Sequence, residues 1–278
     1  MRRPLSDAFP GAHGTVRDRY RPAEFEAERY SPENLSFWTP VIVRLGRLRR
    51  GDAVLDLGCA TGGLTAAVAE ATGTHLVGCD RSLALLDYGR RVCGRASTPL
   101  VRGDGARLPF GSGSFDRVIA SLVIHQVRDR QEVFVEVARA LRSGGLLLVR
   151  TVSPTAATQW IPHRFFPSIA QAQAERMPSM SDLTDGMTRA GFGNVETETV
   201  VHAKRLRPEE VERGLRRDVA HRYPFVEDDE LDRGLQRMRQ HWAAHRDEWI
   251  DERRFSFVIA AKTRSPQRVT APRRREER

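Results

Sequence analysis

Three aspartates recur at comparable places in the first half of the chain. Asp56 lies inside the apolar run Val54-Leu55-Asp56-Leu57, Asp80 closes "LVGCD", and Asp104 follows "LVRG". A buried carboxylate is costly unless it is paired or hydrogen-bonded. Beside Asp56 runs "VLDLGCATGGLT", residues 54–65, with Gly58, Gly62 and Gly63. Glycines between a strand and a helix let the backbone approach a ligand closely, and the helix start offers free N–H groups. Dinucleotide loops use G-x-G-x-x-G and P-loops end in G-K-[ST]. The spacing here, G-x-x-x-G-G, fits neither, and no lysine stands near Gly62. Asp56 would also bring negative charge toward a phosphate. A ligand with positive charge removes that conflict, because opposite charge favours the ionised carboxylate. A carboxylate at the end of a second strand is placed to accept hydrogen bonds from ribose hydroxyls. Three acids lining one crevice therefore suit a cationic nucleoside rather than a polyphosphate.

These residues need a frame, and the patterning supplies one. After Gly51, short apolar runs at 54–57, 75–79, 100–102, 115–122 and 146–151 alternate with helical stretches at 64–71, 83–93 and 130–141. Alternation of this kind predicts a parallel sheet with helices on both faces. Right-handed crossovers make it doubly wound, with ligands beyond the carboxyl ends of the strands. Ser31-Pro32 predicts a helix start, with that helix running to about residue 48 and an earlier one over 22–29. Residues 154–178 hold Trp160, Phe165 and Phe166 among four prolines, without a clean period. They are expected to form a loop and short-helix insertion. A helix over 181–190, a strand over 195–201, amphipathic helices over 208–223 and 228–249, and a last strand over 255–261 complete the expected α/β fold, a seven-stranded, mostly parallel sheet. The expected division is an N-terminal helical cap at 1–50, a cofactor-binding core at 51–152, a lid insertion with helices and last strands at 153–262, and a disordered basic tail at 263–278.

The motifs stand in a recognisable order: "VLDLGCATG", "LVGCDRS", "GDGARLPF", "SFDRVIASLVIHQV" and "ALRSGGLLLV". Over residues 51–152 the chain resembles class I S-adenosylmethionine-dependent methyltransferases, in the small-molecule branch that includes the ubiquinone and menaquinone methylases. The resemblance implies the Rossmann-like methyltransferase fold and S-adenosylmethionine as cofactor. It also implies that Gly58, Cys59 and Gly62 wrap the methionine part, with Asp56 beneath fixing the loop. Asp80 is implied to grip the ribose hydroxyls, with Arg81 beside the adenine. Asp104, backed by Gly105 and Ala106, is implied at the adenine amino group, and Ser121 at the methionine moiety. No chemistry is assigned to the Cys59 thiol, and no metal is expected.

Methyl transfer from a sulfonium is an in-line displacement that depends on positioning in a dry pocket. A general base helps only where the nucleophile loses a proton as it attacks. His125, after the fourth strand, is the candidate base, since histidine titrates near neutral pH; a structural histidine bonded to backbone is the competing reading. His163 and then His202 follow as weaker candidates. Acceptor walls are expected from Tyr20, Tyr30, Phe37 and Trp38 on one side and from Trp160, His163, Phe165 and Phe166 on the other. An aromatic cavity of this kind suits an apolar or aromatic acceptor of the specialised-metabolite sort. Arg150, at the end of the fifth strand, either pairs a substrate carboxylate or forms an internal ion pair.

Composition limits the remaining classes. The chain has 278 residues, a hydrophobic content of 40% and a net charge of +9, with a mean hydropathy of −0.47. The last seventeen residues, "KTRSPQRVTAPRRREER", carry seven Lys or Arg against two Glu, or +5, leaving +4 for the rest. The basic excess therefore reads as a solvated tail. The longest apolar runs are of strand length, short of the ~20 residues that span a membrane, and "MRRPLSDAFP" lacks the apolar stretch of a signal peptide. Three cysteines without a CxxC pair read as reduced thiols in a cytoplasmic protein. The expected partner is a small-molecule acceptor, with neither nucleic acid nor membrane, and a homo-oligomer is compatible with the sequence. Two alternatives share the core. One is a nucleic-acid methyltransferase, although the N/D-P-P-Y signature is missing. The other is a protein of this fold that uses the cofactor for a different reaction, such as cyclisation.

Overall fold

The structure, a computed structural model, describes residues 22–95, 98–221, 223–245 and 249–263. Tyr20 and the tail from residue 264 onward lie outside the described residues.

Two helices precede the sheet, α1 (Pro22–Arg29) and α2 (Pro32–Leu45). The Ser31 hydroxyl caps α2 by accepting the Asn34 N–H at 3.2 Å, and Pro32 occupies the first turn, where its missing N–H costs nothing. The alternating part follows as β1 (Ala53–Leu57), α3 (Gly63–Thr72), β2 (His75–Asp80), α4 (Leu83–Arg91), β3 (Leu100–Arg102), β4 (Phe115–Ser121), α5 (Arg130–Ala140) and β5 (Leu141–Thr151). Then come α6 (Pro154–Thr158), a 3₁₀ segment (Ile161–Phe165), α7 (Pro167–Arg176), α8 (Met180–Arg189), β6 (Phe192–Arg205), α9 (Pro208–His221), α10 (Asp228–Ala244) and β7 (Ile250–Lys262).

The sheet has seven strands in the order β3-β2-β1-β4-β5-β7-β6. Strands β1 to β5 pair in parallel, and β7 runs antiparallel to both neighbours. The expected doubly wound α/β sheet is thus the observed one. The order reverses between β1 and β4, and the crevice beyond their carboxyl ends is the place where such sheets bind ligands. β6 is longer than expected because it pairs with β7 along nearly its whole length.

Strand alternation sorts the core into two faces. Leu55, Leu57, Val118, Leu147 and Val149 pack with Phe134 of α5 and with Leu183 and Met187 of α8. Val54, Ile119, Leu148 and Phe257 pack on the other face with Trp38 and Ile42 of α2 and with Leu64 and Val68 of α3. By the same alternation Asp56, Ser121 and Arg150 belong to that second face. A third core joins Phe166 and Ile169 to Leu215, Val219, Leu235, Met238 and Trp249. The stretch 153–262 contributes to all three of these cores. A helical subdomain is assembled from the segment before α8 and the segment between β6 and β7, while α8, β6 and β7 complete the sheet layers. Periodicity identifies amphipathic helices but not the face each one covers. Among the described residues, no helix is long and apolar enough to cross a membrane.

Candidate active site

The loop after β1 is held from three directions. The Gly58 N–H donates to the Cys79 carbonyl at 2.7 Å. Ala60, with φ of 53°, donates its N–H to Asp80 Oδ2 at 2.9 Å. A left-handed non-glycine residue costs of order 1–3 kcal/mol, and a charge-assisted bond to a buried carboxylate offsets it. Asp80 Oδ1 accepts the Ser82 N–H at 2.9 Å, and Ser82 in turn caps α4 through the Leu85 N–H. Beneath the loop, Thr65 Oγ1 donates to Asp56 Oδ2 at 2.7 Å, and Asp56 is 3% exposed. Asp56 therefore anchors the first turn of α3 from below. Gly58 has φ of 77°, and a Cβ there would fall 2.4 Å from the Val123 side chain. Gly62, with φ of 80°, opens α3.

Helix α1 clamps this loop from outside. Glu26 accepts a hydrogen bond from the Thr61 hydroxyl and another from Arg95 Nη2 at 2.6 Å. Arg95 Nη1 also donates to the Thr61 carbonyl at 3.3 Å. Burial works against the Arg95 charge, but Glu26 outweighs it and holds the guanidinium above its ordinary value. The Tyr30 hydroxyl donates to the Cys59 carbonyl at 3.1 Å. Local sequence does not mark Glu26, Thr61 and Arg95, because a half-buried acid in a short first helix carries no local signal.

The three acids converge electrostatically on one atom. Cys79, fully buried on β2, has its thiol pushed up to about 12 by burial and then by the charges of Asp80, Asp104 and Asp56. Negative potential therefore gathers at the carboxyl ends of β1 to β3. Asp104 is exposed and accepts the Ala106 N–H at 3.0 Å, with Gly105 half-buried between them. Arg81 is exposed at the rim. Cys59 is buried, with its thiol facing the Ala60 carbonyl.

Ser121 ends β4 half-buried, opposite Arg150 of β5. Leu122 follows with φ of 54° and donates its N–H to the Arg150 carbonyl at 2.9 Å. His125 sits half-buried in the single 3₁₀ turn Ile124–Gln126. Its Nε2 lies 3.4 Å from Gln126 Nε2, which itself donates to the Leu122 carbonyl at 3.0 Å.

Among the residues expected to line the acceptor, Trp38 is 5% exposed and carries the Arg150 guanidinium over its ring at 3.3 Å. Phe255 of β7 lies 4.8 Å from Trp38 and 6.2 Å from Trp160, so one phenyl ring joins the two expected walls. Arg253 stands over Trp160 at 4.6 Å and is paired with the buried Asp251. His202 is wedged between Phe37 and Trp38, and burial first, then the charge of Arg150, hold it below the ordinary histidine range. Two expected wall residues are buried. Phe166 is fully buried in the helical subdomain, and a Cβ on Gly234 of α10 would fall 2.2 Å from its ring. His163 is buried with Nδ1–H donating to the Ala157 carbonyl at 2.6 Å and its ring stacked on Trp160. The aromatic segment 154–178 divides: Trp160 meets Phe255, while Ile161, Phe166 and Ile169 enter the helical subdomain. Phe165 likewise stacks on Trp249. Among the described residues, no group of three or more His, Cys, Asp or Glu is arranged to hold a metal ion.

Comparison with known proteins agrees with this geometry. Residues 55–149 match the family described as Methyltransferase domain. Over 127 residues the chain is 35% identical to demethylmenaquinone methyltransferase of Corynebacterium kroppenstedtii, covering 44% of this chain and 53% of that protein. The chain thus spans about half the length of the first curated relatives it matches. Among solved structures, a protein from an antibiotic biosynthesis pathway of Anabaena variabilis superposes with a TM-score of 0.64 at 18% identity, over 81% of this chain and 96% of that one. Phosphoethanolamine N-methyltransferase 2 of Haemonchus contortus, in complex with S-adenosyl-L-methionine, does so with a TM-score of 0.52 at 19% identity, over 88% of this chain and 60% of that one. With this sheet order, this glycine loop and the match to a methyltransferase domain over residues 55–149, the chain is similar to class I S-adenosylmethionine-dependent methyltransferases of small molecules.

Proposed function

We propose that the protein transfers a methyl group from S-adenosylmethionine to a small acceptor with an aromatic or apolar body, of the specialised-metabolite kind. The observation that carries this reading is the glycine loop after β1 held by the buried carboxylates of Asp56 and Asp80, which give the crevice a negative potential. That negative potential favours a cationic nucleoside and opposes a polyphosphate. The residues present fit the cofactor. Asp80 accepts the Ala60 and Ser82 N–H groups, which fix its carboxylate at the carboxyl end of β2, the place where such sheets bind a ribose. Gly58 and Gly62 let the loop lie close against its neighbours, since a Cβ on Gly58 would fall 2.4 Å from Val123 and one on Gly62 2.9 Å from Leu100.

When bound, S-adenosylmethionine supplies an electrophilic methyl group on a sulfonium. Asp80 holds the ribose, with Arg81 beside the adenine. Asp104, with Gly105 and Ala106, meets the adenine amino group. Gly58, Cys59, Gly62 and Ser121 contact the methionine part, and Asp56 keeps the loop in place through Thr65. Trp38, Trp160 and Phe255 give the acceptor an apolar wall, and Tyr30 closes the loop side. His125 receives the proton from an acceptor hydroxyl or amine as the new bond forms. Calorimetry with S-adenosylmethionine and with S-adenosylhomocysteine tests the reading. Micromolar binding of both to the folded protein is expected, and a folded protein that binds neither overturns it.

A further inference from the structure

Arg150 is 6% exposed, yet no carboxylate or carbonyl among the described residues accepts a hydrogen bond from its guanidinium, and its Nε is buried without a partner. A buried cation without an anion is expensive, of order several kcal/mol, and a buried donor left unmade costs about 1–3 kcal/mol. Stacking on Trp38 at 3.3 Å, with Phe255 at 4.4 Å, returns only about 2 kcal/mol. The surroundings deepen the deficit. Arg29, at the end of α1, acts on Arg150 as a second positive charge and has no ion pair of its own among the described residues. Tyr30 opposes that effect, and burial is the largest influence. Arg150 sits at the carboxyl end of β5, in register with Ser121 and beside the left-handed Leu122. It therefore lies where acceptor and cofactor must meet.

Resting on the methyl-transfer reading, we propose that the acceptor carries a carboxylate and that Arg150 is the residue that binds it. The face of the guanidinium is covered by Trp38, so its in-plane N–H edge is what remains for a ligand. That edge matches the two oxygens of a carboxylate in a bidentate pair. Trp38 and Phe255 then contact the carbon skeleton next to the carboxylate, and Arg29 adds attraction at the junction of α1 and α2. The unpaired charge becomes a specificity device: a neutral analogue would leave Arg150 unmade, and sites of this sort reject such analogues strongly.

The test is a matched library of aromatic carboxylic acids and their primary amides, titrated into the full chain with saturating S-adenosylhomocysteine. At least one acid is expected to bind ten times or more tighter than its amide, and Arg150→Met is expected to abolish that preference. Because the variant removes an uncompensated buried charge, its thermal midpoint should stay level or rise. Acids and amides binding alike, no acid binding, or a preference that survives in Arg150→Met would each overturn the proposal. If Arg150→Met does not fold, Arg150→Lys decides: it keeps the charge without the fork, so the preference should fall to a few-fold, and an unchanged preference counts against the proposal. Binding of S-adenosylhomocysteine to the wild-type chain is measured in the same titrations. Its failure removes the methyl-transfer reading, whereas its success with no acid preference removes only the role of Arg150.

Discussion

Tyr30 seals the glycine loop twice: its hydroxyl holds the Cys59 carbonyl at 3.1 Å, and its ring occupies the space a side chain on Gly63 would need. A Cβ on Gly63 would lie 2.3 Å from the Tyr30 ring. Gly63→Ala is therefore expected to displace Tyr30 and cost about 1–3 kcal/mol. Removing the ring should relieve the clash, so Gly63→Ala/Tyr30→Ala should be less destabilised than the sum of the single changes. Denaturant unfolding of the four proteins checks this, and strict additivity would refute the contact.

Asp80 has a structural duty besides its proposed ribose contact, because it accepts the Ala60 and Ser82 N–H groups. Hydrogen bonds to a charged group contribute about 1.5–3 kcal/mol each. Asp80→Ala should thus lower stability by about 3 kcal/mol and weaken S-adenosylmethionine binding at least tenfold. Asp80→Asn keeps one acceptor oxygen and should recover part of the stability. Unfolding curves and calorimetry separate the two effects. An alanine variant of wild-type stability would contradict the loop-holding role.

Glu26→Gln should loosen the α1 clamp, since the Arg95 guanidinium loses its ionised partner at 2.6 Å. The pair is mostly buried, so a loss of about 1–3 kcal/mol is expected, with severalfold weaker cofactor binding because Thr61 lies in the loop. Cofactor affinity equal to the wild type would show that the clamp does not act on the loop.

For His125→Ala, turnover should slow by about 10²–10⁴-fold if the acceptor must lose a proton, with near-normal cofactor affinity. Rate measurement against pH is the check. A full-speed variant removes His125 from the mechanism.

Alkaline stability should report on Cys79. Its folded thiol holds its proton to about 12, against 9.0 for the ordinary thiol. The unfolded chain therefore releases a proton first, and stability present below pH 9 is lost as pH rises toward 12. Three units correspond to roughly 4 kcal/mol. Cys79→Ala should flatten this decline. At pH 8.5, iodoacetamide should label half-buried Cys93 before the buried Cys59 and Cys79, read by mass spectrometry; early labelling of Cys79 would contradict its burial.

The sequence by itself determined the sheet and its crevice. Strand and helix periods are local, crossover handedness is nearly fixed, and glycines and acids at strand ends announce themselves where they stand. Asp56, Asp80, Asp104 and the loop between them were legible for that reason. Tertiary structure alone decided what closes the loop and what faces the acceptor. Glu26 meets Thr61 across 35 residues, and nothing in either neighbourhood marks the pair. Phe166 and Trp160 stand six residues apart in one aromatic segment, yet one enters the core of the helical subdomain while the other meets Phe255. Arg150 could be read as an internal ion pair or as a ligand group. Only the packing of α2 and β7 against β5 showed that aromatic rings surround it and that no described carboxylate reaches it. Periodicity tells which residues share a face; which faces meet, and which charges are left without partners, is settled when the chain closes on itself.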